Sequence, residues 1–224
     1  MIISAEERRR HRNNITVENM TFENVDSFVY LGSEINNRNK LSSDIQRRIM
    51  AANRAYFANR KLITSQILSR KTKIRIYKTL IRPVATYGSE TWNISAGDAN
   101  KLRIFERKII RRIYGPILDS GVWRIRTNNE INVFLNNEDI VRFIKSQRLR
   151  WIGHVERMAD TRIPRRIMKA SMTGRRQKGR PRNRWKDEIE LDLKKMNVRG
   201  WGKKMKDRKE WRNIVKQAQA HLEL

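Results

Sequence analysis

Residues 95–115 read "SAGDANKLRIFERKIIRRIYG", and the spacing within them decides the fold class. Leu102, Phe105, Ile109 and Ile113 recur at intervals of three and four, which at about 100° per residue sets them on one side of a helix. Arg103, Arg107 and Arg111 keep the same period on a face roughly opposite. Ser95 with Asp98 three residues on starts the helix, in a weaker version of the Ser-x-x-Glu box. Gly115 and Pro116 stop it. Such a helix asks for a core on one flank and offers guanidinium groups to an anionic partner on the other.

The same period extends in both directions. Ser42 or Ser43 is placed to cap a helix carrying Ile45, Ile49, Ala52 and Tyr56 inward. A second helix is expected from about 69 to 81, around Ile74, Tyr77 and Ile81, with Pro83 ending it. Further helices are expected over about 137–158, with Ile140, Ile144, Trp151, Val155 and Met158 inward, over 185–196, and over 207–222 around Trp211, Ile214, Val215 and Ala218. Pro164 opens a short one. Trp92 and Trp123 are expected to be packing residues.

Only residues 15–35 read as strand, in short β-branched and aromatic runs broken by Asn, Asp and Gly: a hairpin or three-strand ribbon that needs something to lie on. The predicted fold is therefore mainly α. Its expected organisation is an N-terminal β-ribbon (1–36), a helical domain (37–115), a second helical segment (116–172), a basic Arg/Gly/Pro loop (173–184) and C-terminal helices (185–224).

The charge is one-sided. The 224 residues hold 51 Lys and Arg against 23 Asp and Glu, a net +28. Hydrophobic residues make up 38%, with six tryptophans, too many for a disordered basic tail. A folded body with that surplus repels itself unless a polyanion neutralises it, so RNA or DNA is the expected partner and a membrane is not. With no cysteine, thiolate zinc sites are excluded. His11, His154 and His221 lie too far apart in sequence for the usual ligand spacing. No apolar run approaches the roughly 18 residues of a membrane span, and an intracellular, nuclear location is expected. No phosphate-binding Gly-rich loop and no nucleophile elbow is present. Glu90 and the acids Asp187, Glu188 and Glu190 are the most tempting carboxylates, but they sit among arginines and read as ion-pair partners.

Four stretches, "SFVYLGSEI" (27–35), "RIYKTLIRPVATYGSETW" (75–92), "RLRWIGHVERM" (148–158) and "GRRQKGRPRNRW" (174–185), together resemble the C-terminal part of the polyprotein of non-LTR (LINE-type) retrotransposons, the endonuclease–reverse transcriptases. The likeness runs from about Ile15 to the end. It implies that Phe28, Tyr30, Leu31 and Gly32 lie in a primer-grip-like hairpin following the polymerase palm. It also implies that the next helices form a thumb holding template–primer, and that the last two motifs help bind element RNA or target DNA. The family's aromatic-Ala-Asp-Asp metal turn is absent from this chain. The resemblance therefore implies no catalytic residue and no cofactor here, Mg²⁺ belonging to a complete polymerase. It leaves three readings: a catalytically silent nucleic-acid-binding piece, part of an active reverse transcriptase whose palm lies upstream, or an AT-hook-like or ribosome-associated scaffold.

The last motif carries the densest charge. Arg175, Arg176, Lys178, Arg180, Arg182 and Arg184 run through it, and Trp185 closes it. Arginine's planar fork matches phosphate oxygens, glycines allow close approach, and Pro181 keeps the run extended. Trp185 is a candidate for stacking on unpaired bases. The same basic cluster also suits a nuclear-localisation signal.

Overall fold

The structure, a computed structural model, describes residues 14–37, 40–170, 184–222 and 224. It is mainly α, with small antiparallel strand pairs before and between the helices.

The N-terminal segment forms two separate hairpins. In the first, β1 (Ile15–Val17) pairs with β2 (Met20–Phe22); in the second, β3 (Ser27–Tyr30) pairs with β4 (Ser33–Asn36) in the register Phe28 to Ile35. Leu31 and Gly32 both hold positive φ at the second turn, the backbone a two-residue hairpin loop of matching twist demands. The first hairpin is exposed throughout, whereas β4 is half-buried against the helix that follows.

That helix, α1 (Ser42–Ala58), buries Ile45, Ile49, Ala52 and Tyr56, as its period predicts. Its expected cap is a correction. Leu41 occupies the N-cap without a side-chain bond, and the Ser42 hydroxyl instead donates to Asp98 Oδ1 at 2.7 Å. After the short α2 (Arg60–Thr64) comes α3 (Arg70–Ile76), capped by Ser69, whose hydroxyl accepts from Thr72 N. Pro83 does not end the helical path here. A π-turn over Tyr77–Ile81 widens the backbone, and α4 (Arg82–Ala85) carries on through the proline. The proline ring would collide with the carbonyl four residues back in a regular α-turn, and the wider turn relieves that conflict.

A 3-10 turn (Ser89–Thr91) leads to α5 (Ala96–Tyr114), which buries Leu102, Phe105, Ile109 and Ile113. Ser95 caps it, accepting from Asp98 N at 3.2 Å, and Gly115 at φ 71 closes it. The expected unbroken run of helix then fails. Ile117–Asp119 (β5) and Val122–Arg124 (β6) form a third hairpin, turned by Ser120 and Gly121 at positive φ. Trp123, expected to pack, stands 68% exposed on it. Thr127 and Glu130 form a reciprocal capping box for α6 (Asn128–Phe134).

The longest connecting element is α7 (Ile140–Glu156), capped by Asp139. It begins three residues later than its period suggests, because Asn136 and Asn137 take positive φ to close α6. Beyond it lie α8 (Ile163–Lys169), with Pro164 in its first turn, α9 (Trp185–Lys195), α10 (Trp201–Lys204) and α11 (Arg208–Ala218). Two apolar clusters result. One gathers α1, the π-turn, α5, α6 and the start of α7; the other gathers the end of α7 with α9 and α11. Trp151 and Met158, expected inward, are only half-buried, since Leu149, Ile152 and Val155 take the inner face.

Candidate nucleic-acid interface

Four segments distant in sequence meet around the turn at Ser89–Thr91. From the first side, Arg48 on α1 donates to Ser33 Oγ at 2.9 Å and stacks its guanidinium 4.6 Å from the Tyr87 ring centre. Gly88, at φ 70, lies close to Ser33. From the other side, buried Arg148 donates to the carbonyl of Trp92 at 3.2 Å, and Trp185 Nε1 donates to the carbonyl of Glu90 at 2.9 Å. The residues that give the sequence its resemblance are therefore the ones that hold this junction together. Arg148 also pairs with Asp192 of α9, which takes Lys145 at 2.8 Å through its other oxygen. Trp211 Nε1 donates to the carbonyl of Leu149 at 2.8 Å, with the indole lying directly on Gly153.

This geometry assigns internal work to several predicted contact residues. Trp185 is half-buried against the second cluster, its N–H already bonded. Arg103 pairs with Asp139 at 2.8 Å, and Arg111 donates to the Arg126 carbonyl at 2.9 Å and to Asn128 Oδ1 at 2.7 Å. Arg107 is half-buried, and burial, reinforced by the neighbouring Arg103, lowers its pKa. The face they share borders the core rather than facing squarely away from it. Arg184 is exposed and donates its backbone N–H to Asp187 at the head of α9. Arg175, Arg176, Lys178, Arg180 and Arg182 lie outside the described residues. In the β3–β4 hairpin, Phe28, Tyr30 and Leu31 are exposed, and Gly32 sits over Arg48.

A further group of cations lies elsewhere, between two helices. Helices α7 and α11 pack antiparallel: Arg157 faces Arg208, Gly153 faces Trp211, and Arg142 donates to the carbonyls of His221 and Leu222. Between them runs an open groove of about 860 Å³. Arg150, His154 and Arg157 line one wall, and Arg208, Arg212 and Lys216 the other, above a floor that includes Trp211 and Val215. Among the described residues no carboxylate lines it. Among the described residues none of Arg150, Arg208, Arg212 and Lys216 forms an ion pair. Burial lowers the pKa of Arg157, and the nearby Arg208 lowers it further. Arg157 also donates to the Met205 carbonyl at 2.5 Å, but among the described residues no carboxylate in the lining offsets the like charges. The signal is legible once sought: Arg208, Arg212 and Lys216 are four apart, as are Arg150 and His154, on two helices whose apolar faces were plain.

Asp44, Asp98, Glu106, Asp139 and Asp192 are the buried carboxylates, none of them among the four noted from sequence. Glu106 accepts from Tyr77 Oη and from Ile140 N, both at 2.7 Å, and burial pushes its pKa up to about 7. Among the described residues no group of three or more His, Asp or Glu is arranged to hold a metal ion.

The chain is thus a mainly helical, strongly basic protein, with one groove walled by basic side chains from two helices. It is 30% identical over 200 residues to a transposon-derived protein of Caenorhabditis elegans, a match spanning 87% of this chain and 71% of the relative. The chain belongs to that transposon-derived family. No family model and no solved structure matches it.

Proposed function

We propose that this transposable-element protein binds nucleic acid through phosphate contacts, as the C-terminal region of a retrotransposon reverse transcriptase would hold element RNA beside a thumb that holds template–primer. The observation that carries this reading is the α7–α11 groove, where cations without carboxylate partners face one another in a chain of net +28. Holding such charges together costs free energy unless a polyanion occupies the space between them. Arg107 and the arginines of 175–184 add further contacts. The exposed Phe28, Tyr30 and Leu31 are free to meet a primer strand or a polymerase palm on another part of the element's product.

The test is the salt dependence of binding to RNA and DNA. If about five phosphates are neutralised, log K should fall against log salt with a slope near −4.5 on duplex or −3.5 on a single strand. A slope near zero, or no binding at low salt, removes the reading.

A further inference from the structure

We infer that the α7–α11 groove is the seat of a single unpaired polynucleotide strand, held by its phosphates between two cationic walls, and that a duplex is excluded from it. The inference rests on the nucleic-acid reading above and adds which form of nucleic acid enters this groove and how it lies there.

Three features of the groove argue for one strand. Its walls are helices in direct contact, because Gly153 lets the Trp211 indole lie on the α7 backbone. Helices packed so closely have axes roughly 8–10 Å apart, and the furrow between them is too narrow for the body of a double helix. The cations also repeat along the furrow rather than across a flat face. Arg208, Arg212 and Lys216 stand four residues apart on α11, a rise of about 6 Å per step, comparable to the distance between successive phosphates of an extended strand. Finally, the opposite wall supplies Arg150 and, two turns on, Arg157, whose guanidinium also donates to the Met205 carbonyl. A strand in the furrow can therefore be contacted from two sides, whereas a duplex resting on the rims offers one strand's phosphates to the outermost cations only.

The same groove has no built-in base readout. Its floor is apolar at Val215, and the indole N–H of Trp211 is already bonded to Leu149. Discrimination by base identity is not expected. RNA and single-stranded DNA share the phosphodiester chemistry that the walls meet, so both are used as probes.

The experiment measures binding of the whole chain to fluorescent 20-nucleotide single strands, one RNA and one DNA, and to the matching DNA duplex, over a series of salt concentrations. A groove variant, Arg150→Ala with Arg212→Ala and Lys216→Ala, is compared with a distal variant of equal charge loss, Arg47→Ala with Arg54→Ala and Arg112→Ala. All six positions are exposed, so both variants should keep the wild-type helix content and thermal midpoint, which circular dichroism checks. The groove variant is expected to lose at least tenfold in single-strand affinity, with its salt slope shallower by about two. The distal variant should lose less than threefold, and duplex affinity should fall alike in both. Equal loss of single-strand affinity in the two variants overturns the groove assignment while leaving nucleic-acid binding intact. So does a duplex affinity that drops as steeply as the single-strand affinity in the groove variant alone. If the wild-type chain binds none of the three probes, it is the nucleic-acid reading itself that falls.

Discussion

Gly153 shows what a single position can demand. A Cβ there would sit 2.1 Å from Trp211 Nε1 and 2.3 Å from Cδ1, and both atoms belong to a rigid ring fixed by its bond to Leu149. Neither side can yield cheaply. Gly153→Ala must expel the indole or part the two helices, and overpacking of this kind costs about 3 kcal/mol. Urea unfolding should show the loss as a lowered midpoint; an unchanged midpoint would mean the ring does not rest on that backbone. The glycine of "RWIGH" is thus a packing requirement. Glu106 is the other telling residue. Its carboxyl is fully buried, and burial raises its pKa from 4.5 to about 7 against the opposing hydrogen bonds from Tyr77 and Ile140. Because the folded value lies above the unfolded one, its contribution is complete below pH 4.5 and is lost as pH rises through 7. The change amounts to roughly 3 kcal/mol across that window. Other carboxyls pull the opposite way: burial would raise Asp98 and the half-buried Glu138 as well, yet hydrogen bonds and nearby lysine or arginine hold both below their usual range. The difference between wild type and Glu106→Gln therefore isolates the effect. The stability of wild type relative to the variant should decline between pH 4.5 and 7, and a flat difference would refute the assignment.

At the scale of elements, α1, α5 and α11 were legible because their apolar residues keep one period over several turns and every predicted inward residue is buried. What stayed hidden is short or set by distant contacts. The β5–β6 hairpin has three residues a side and turns on Ser120 and Gly121, a weak signal beside the helical period flanking it. The path through Pro83 depends on a π-turn that no local pattern announces. The arginine stripe of α5 was visible, but not that Asp139, Arg126 and Asn128 come up to meet it. Arg111 consequently ties the segment after β6 to α5. Removing it should loosen that junction more than it weakens binding. Arg111→Ala is expected to cost about 1–2 kcal/mol in unfolding free energy, the worth of two hydrogen bonds, while polynucleotide affinity changes less than threefold. Tenfold weaker binding with unchanged stability would return Arg111 to the interface.

Across the whole molecule, α7 is the element that makes two clusters into one protein. Its first turns give Ile140, Val141 and Ile144 to one core, and its later turns give Leu149 and Ile152 to the other. Between them Arg148, 1% exposed, is held by Asp192 from α9 and by the carbonyl of Trp92 beside the 3-10 turn. A buried guanidinium stripped of its carboxylate is an uncompensated charge, and breaking such a pair costs about 3–5 kcal/mol. That cost would fall on the joint between the clusters. In the wild-type chain, far-ultraviolet dichroism and tryptophan fluorescence should report one coincident unfolding transition. In Asp192→Ala the transition should broaden or split, with the cluster of α9 and α11 released first, because the α5-based cluster keeps its contacts to the start of α7. The groove between α7 and α11 belongs to the weakened part, so single-strand binding should vanish in the same interval of denaturant as the first transition. If instead both probes shift together to a lower midpoint, the pair stabilises the molecule as a single unit and the joint has no separate existence.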